Sequence, residues 1–278
     1  MNPNCSELIN LSIETWERIA FARTRFGLKI FETTITQNLI YNLTKNKTKN
    51  GIILFEAIDE ATNGNDIEIF VKTKGGYLFL PTQAKIIYNQ RNNYPKMEHG
   101  NQINDLIAYA NLYSGIPFYL LYNYYPNSEY AFTQNICGVK CKKEYLGCTL
   151  VSATYLLDNF AFKAKITKGK RKGSPKWIIP KFVDLHNNNI NSIAKPWFIL
   201  SCCGSHLTAK DLVRKLTPST TYENLNWDKI HEIQEEDFFY DQAWKEIEIE
   251  SLESVDISKR EYQYFKPKFR IVINAEKK

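Results

Sequence analysis

Two short stretches of this chain carry residue types suited to the hydrolysis of a phosphodiester. Asp66 and Glu68 stand two apart in Asp66-Ile67-Glu68-Ile69, and Gln83 and Lys85 stand two apart in Gln83-Ala84-Lys85-Ile86. Side chains two apart on a strand share a face, so the acids fall on one face and the isoleucines on the other, and Gln83 and Lys85 project together. The link between the stretches ends in Gly75-Gly76, a hairpin signal that would lay them side by side. A carboxylate, an amide oxygen and an ammonium then converge. Hard oxygens from Asp66 and Gln83, joined by a backbone carbonyl near Ala84 and by Glu32, suit Mg²⁺. Such an ion activates a water and neutralises charge developing on a scissile phosphate. Lys85 would orient the water or help deprotonate it, and would stabilise the transition state.

The elements that must hold these residues are legible from periodicity. A helix is expected over 4–26, with Trp16, Ile19, Ala20 and Arg23 at helical spacing and Gly27 as its stop. A second, over 31–45, places Ile35, Leu39, Ile40 and Leu43 on one face and Glu32 in its first turn, where an acid also complements the helix dipole. Strands are expected over 52–58, 66–71 and 77–87 in a meander, then a helix over 97–113 and a strand over 118–122 after Gly115-Ile116-Pro117. Pro81 inside the third strand calls for a bulge or an edge. Farther on, the pattern gives a helix over 149–160, a strand over 197–202, a helix over 209–216, an acidic helix near 232–247 and a strand over 268–273.

Glu32, then Asp66 in Gly64-Asn65-Asp66, then Gln83-Ala84-Lys85, in this order and on these elements, resemble the motifs of the PD-(D/E)XK nucleases, the superfamily of type II restriction enzymes and many defence nucleases. The resemblance covers residues 31–124. It implies an α/β restriction-endonuclease-like core, αβββαβ with a mixed central sheet flanked by helices, carrying an α+β C-terminal elaboration. The core would span 1–126 and the elaboration 127–278. It further implies a Mg²⁺-dependent endonuclease acting on DNA, with Mn²⁺ as a substitute, in bacterial restriction or phage defence. Glu32, Asp66, Gln83 and Lys85 would be catalytic, and the metal would rest on Asp66, Gln83 and Glu32. Gln102, with Asp105 one turn on, sits where the superfamily often places an auxiliary residue, and Glu68 is either a third ligand or a bystander. Gln83 stands where an acid is usual, as in Mrr-type enzymes; this removes one negative charge and leaves a second metal open. Superfamily members often pair as homodimers, and a defence-system partner protein fits the same setting. The stretch 32–123 is also similar to an uncharacterised bacterial family with Glu, Gly-X-Asp and Gln-Ala-Lys in this order. Two rival readings share the scaffold: a catalytically weak nucleic-acid-binding or partner-docking protein, and an RNase.

With 278 residues, 44% of them hydrophobic and 14% aromatic, the chain can bury a substantial core, which excludes disorder as its general state. The net charge of +6 is unevenly spread. Residues 160–183 hold Lys163, Lys165, Lys168, Lys170, Arg171, Lys172, Lys176 and Lys181 without an acid, whereas 223–256 are strongly acidic. Lys168, Lys170, Arg171, Lys172 and Lys176, beside Trp177, read as a loop that tracks phosphates and stacks on a base. No apolar run approaches the length of a membrane span, and Glu7, Glu14 and Glu17 interrupt any signal-peptide pattern, so a cytoplasmic address is expected and a membrane partner is not. In that compartment Cys5, Cys137, Cys141, Cys148, Cys202 and Cys203 are expected to be free thiols or metal ligands rather than disulfides. Cys137, Cys141 and Cys148 lack a second Cys-X2-Cys pair, so structural zinc is not expected.

Overall fold

Helix α1 (Pro3–Arg25) buries Leu8, Leu11, Trp16 and Ile19 along one stripe and stops at Gly27, whose φ of +58° lies in the left-handed region that glycine enters without strain. The computed structural model describes residues 3–45, 51–57, 66–88, 91–98, 102–162, 176–187, 192–203, 206–234, 244–247 and 267–274. Near the end of α1 the Arg23 guanidinium donates to the carbonyls of Ile87 and Tyr124, and burial lowers its pKa to about 10. Helix α2 (Glu32–Lys45) buries Ile35, Leu39, Ile40 and Leu43.

The strands are β1 (Ile53–Ala57), β2 (Asp66–Lys72), β3 (Tyr77–Ile86) and, after helix α3 (Gln102–Leu112), β4 (Phe118–Tyr122). There follow β5 (Asn135–Ile136), β6 (Val139–Lys140), β7 (Cys148–Ser152), α4 (Ala153–Phe160), β8 (Ala161–Phe162), β9 (Lys176–Trp177), α5 (Phe182–Leu185) and β10 (Lys195–Pro196). The chain continues through α6 (Ile199–Cys202), α7 (Ala209–Leu216), α8 (Ser219–Glu223), β11 (Trp244–Glu246) and β12 (Phe269–Ile273). Eight strands form one mixed sheet in the order β10-β7-β4-β3-β2-β12-β1-β11, with helices against it. Its parallel pairs are β12 with β2 and β3 with β4.

The expected meander of the first three strands is corrected in one respect. β1 and β2 do not pair; β12 lies between them, antiparallel to β1 and parallel to β2. All five residues of Phe269-Arg270-Ile271-Val272-Ile273 are buried, and a strand buried on both faces belongs inside a sheet. Strands from both sides of residue 126 thus share one sheet.

Other expectations shift locally. The helix expected over 149–160 divides into β7 and α4, because Thr149, Leu150 and Val151 are all buried between β4 and β10. The strand expected over 197–202 is instead helical at Ile199–Cys202, a short apolar run that periodicity cannot assign. The helix expected over 97–113 begins at Gln102, after a single turn at Pro95–Glu98. Of the acidic helix near 232–247, residues 235–243 lie outside the described residues, and Trp244–Glu246 form a strand on β1. Cys5 is joined to Cys202 and Cys137 to Cys203, which corrects the expectation of free thiols; the Cα separations of 4.7 and 6.0 Å suit disulfides. Cys141 and Cys148 remain free and buried.

Pro81 sits in a central strand, and the structure gives the reason it is tolerated. Pairing of β3 with β4 begins only at Thr82 with Phe118, and beside Pro81 runs Gly115 instead. A Cβ on Gly115 would stand 2.6 Å from Phe79 Cδ1 and 3.0 Å from Pro81 Cδ, so only glycine lets that backbone pass.

Candidate active site

The β2–β3 hairpin forms as its turn residues require. Thr73 N–H and Thr73 Oγ1 both donate to the Gly76 carbonyl, and the pairing runs in unbroken register from Lys72 opposite Tyr77 to Asp66 opposite Gln83. Asp66 and Gln83 are therefore direct cross-strand partners. Because β3 and β4 are in register with Gln83 opposite Tyr119 and Lys85 opposite Leu121, the Gln83–Lys85 face is fixed across three strands.

Helix α3 covers that face. Lys85, only 5% exposed, donates from Nζ to Gln102 Oε1 at 3.2 Å, so the first residue of α3 holds the ammonium over the end of β3. Gln83 is also buried, and its Oε1 has no hydrogen-bond partner among the described residues. A buried carbonyl oxygen left unmatched costs about 1–3 kcal/mol unless something outside the polypeptide satisfies it. That oxygen, two residues from a buried cation and opposite Asp66, is the chemical kind of donor that Mg²⁺ takes. Among the described residues no three His, Cys, Asp or Glu side chains gather as a metal-binding group. The amide donor of Gln83 falls outside that residue set.

Glu32, in the first turn of α2, is buried near Tyr122 of β4. Thr36, one turn along α2, lies 2.8 Å from the Tyr122 hydroxyl, and Tyr122 pairs with Ile86, next to Lys85. Burial raises the Tyr122 pKa well above its ordinary value, and the nearby Glu32 carboxylate adds to the rise.

Glu68 lies on the face predicted for it, and its oxygens are engaged. Oε2 receives the Arg270 Nε proton at 2.7 Å and Oε1 receives the Tyr109 hydroxyl proton at 2.5 Å, with the Glu68 and Arg270 side chains 3% and 6% exposed. Burial and the Glu68 carboxylate together push the Tyr109 hydroxyl far above its usual range. Arg270 is the register partner of Glu68 across β12 and β2, and its guanidinium lies 4.2 Å from the Trp244 ring centroid and 5.1 Å from that of Phe70. This knot fastens the C-terminal strand to the strand bearing Asp66. Sequence reasoning missed Arg270, although an arginine alone in an apolar five-residue strand signals a buried partner.

The remaining candidates separate. Lys168, Lys170, Arg171 and Lys172 lie outside the described residues, and Lys176 is described only through its backbone in β9. Cys137, Cys141 and Cys148 form no common centre: Cys137 is paired with Cys203, Cys141 donates weakly to the Val139 carbonyl, and Cys148 to Thr15 Oγ1. Burial pushes the two free thiols up, to about 11 for Cys141 and about 12 for Cys148, opposite to what a nucleophile needs. His186 is fully buried, lying 3.0 Å by Nδ1 from the Phe182 carbonyl and 2.9 Å by Nε2 from Thr149 Oγ1. Asn123 links it to Tyr94, whose hydroxyl donates to Asn123 Oδ1 at 2.6 Å. Burial depresses the His186 pKa to about 4, so it is a neutral structural hub. No helix among the described residues is long and apolar enough to cross a membrane.

The profile of a family described as "Family of unknown function (DUF6615)" matches residues 4–276. No curated protein and no solved structure matches the chain.

Proposed function

The chain belongs to DUF6615, a family of unknown function, and from the geometry of its hairpin site we propose that it is a metal-dependent nuclease of restriction-endonuclease-like fold, hydrolysing phosphodiester bonds in DNA. One observation carries the reading: Gln83 Oε1 is buried without a hydrogen-bond partner among the described residues, directly opposite Asp66 and two residues from the buried, Gln102-held Lys85. The order α2-β1-β2-β3-α3-β4 supports it, since it presents Glu32, Asp66, Gln83, Lys85 and Gln102 on the elements that the PD-(D/E)XK resemblance requires.

Gln83 and Asp66, with Glu32 from α2, would hold Mg²⁺ or Mn²⁺, which supplies charge neutralisation and a water of lowered pKa. The residues of the chain have separate duties. Lys85 presents an ammonium to the phosphate and the attacking water in a site shielded by α3, where a charge acts more strongly than in bulk water. Gln102 fixes the direction of that ammonium. Glu68 binds no metal; it holds β2 to β12 through Arg270. Bacterial restriction or phage defence is the setting proposed for the activity, and the basic segment around Lys170 is proposed to track the substrate backbone.

The test is cleavage of plasmid and phage DNA with Mg²⁺, Mn²⁺ or EDTA by the wild type, Asp66→Ala and Lys85→Ala. Metal-dependent cutting lost in both variants supports the reading; cutting that survives in EDTA or in both variants overturns it. A folded wild type that binds DNA but never cuts points to the binding-protein alternative.

A further inference from the structure

The residues between α1 and α2 stand out on the surface. Phe21, Phe26, Leu28 and Phe31 are 51%, 60%, 58% and 51% exposed, four large apolar side chains within eleven positions. An apolar cluster held in water marks an interaction surface. Cations are interleaved with it. The Arg25 guanidinium lies 5.8 Å from the centroid of the Phe21 ring, the Lys29 ammonium 5.2 Å from that of Phe31, and the Phe21 and Phe26 rings meet edge to face at 5.1 Å. From Arg18 to Phe31 the chain holds Arg18, Arg23, Arg25 and Lys29 and no acid, with Arg23 half-buried. Exposed rings beside exposed cations are what a single nucleic-acid strand selects, bases stacking on the rings and phosphates meeting the charges.

The patch is tied to the end of β3. Arg23 ties this end of α1 to the carbonyls of Ile87, two residues beyond Lys85, and Tyr124. Phe31 directly precedes Glu32. A second copy of this chain is a poorer occupant, because a two-fold contact through the patch would bring together two surfaces that both carry Arg25 and Lys29 and no acid. From this juxtaposition we infer that the Phe21–Phe31 surface is a stacking platform for an unpaired stretch of the nucleic-acid substrate, leading it to the Gln83–Lys85 site. The inference rests on the nuclease reading and names the substrate form: a single strand or the unpaired end of a duplex.

The experiment is fluorescence anisotropy of the full chain in EDTA, with a labelled oligothymidylate and a labelled duplex of mixed sequence, beside cleavage of both with Mg²⁺. Phe26→Ala and Phe31→Ala alter exposed rings, and circular dichroism checks that each variant folds. Each is expected to weaken oligothymidylate binding about ten-fold, with a smaller effect on the duplex. Arg25→Gln with Lys29→Gln is expected to lower the salt dependence of single-strand binding by about 1.4 in slope, roughly 0.7 per cation. Wild-type binding that the ring variants leave unchanged overturns the platform even if the protein cuts DNA. So does a change in sedimentation of the ring variants without a change in binding, which assigns the patch to self-association. Ring-dependent binding without cleavage keeps the platform and overturns the nuclease reading instead.

Discussion

Replacing Arg270 by methionine would leave the Glu68 carboxylate buried without its cation, retaining the 2.5 Å hydrogen bond from Tyr109. Breaking a buried pair in this way costs about 3–5 kcal/mol, because the remaining charge stays out of water. Loss of the guanidinium from the Trp244 and Phe70 rings adds about 1 kcal/mol. The total, about 4–6 kcal/mol, is a large part of the roughly 5–15 kcal/mol that holds a typical domain folded. Glu68→Met alone should also destabilise, because it removes the carboxylate that faces the buried guanidinium. The double variant should recover most of the loss, since two apolar side chains of similar volume need no counter-charge. Guanidinium chloride unfolding at neutral pH, followed by circular dichroism across the four proteins, gives the coupling directly. Single losses under about 1 kcal/mol that simply add would refute the reasoning. The same double variant separates fastening from chemistry: it should still cut DNA, and complete loss of cutting in a stable double variant would return Glu68 to the metal site.

Three further outcomes follow from the structure. Because burial holds His186 near pKa 4 against about 6.5 when unfolded, the unfolded chain takes up the proton first on acidification. Stability is therefore full above about pH 6.5 and falls by about 3 kcal/mol towards pH 4, and the slope should largely vanish in His186→Gln; an undiminished slope in that variant excludes the cause. Gln102 is exposed, so Gln102→Ala should leave the melting temperature unchanged while lowering kcat about ten-fold or more at constant KM, as expected for one lost hydrogen bond to a charged group; an unaltered kcat removes it from the site. Gly115→Ala forces a methyl against Phe79 and Pro81 and should cost about 1–3 kcal/mol by thermal or chemical unfolding, and a neutral result would mean that the strand shifts freely there.

What sequence made legible was local. Alternation placed Asp66 with Glu68 and Gln83 with Lys85, and the Gly75-Gly76 turn was enough to bring Asp66 opposite Gln83, because hairpin register is set by the turn and the pleat. The place of β12 was illegible for the opposite reason: its pairing with β2 joins residues some two hundred positions apart, and Phe269-Arg270-Ile271-Val272-Ile273 carries no mark of its neighbour. Glu68 shows the cost of that. On β2 alone it is as good a ligand as Asp66, and only Arg270 and Tyr109 reveal it as a fastening. Thr149-Leu150-Val151 and Trp197–Cys202 were misassigned because a short apolar run fits a buried strand or a buried helix equally well. The cysteine pairs were missed because compartment, rather than geometry, was the only guide.

The measurement that bears most directly on the central claim is plasmid cleavage by the purified full chain with Mg²⁺ against EDTA, beside Lys85→Ala and Gln83→Ala. Cutting that requires the metal, disappears in Lys85→Ala and falls sharply in Gln83→Ala is the expected result. Equal cutting by all three proteins, or cutting indifferent to EDTA, would contradict a site built on the β2–β3 hairpin.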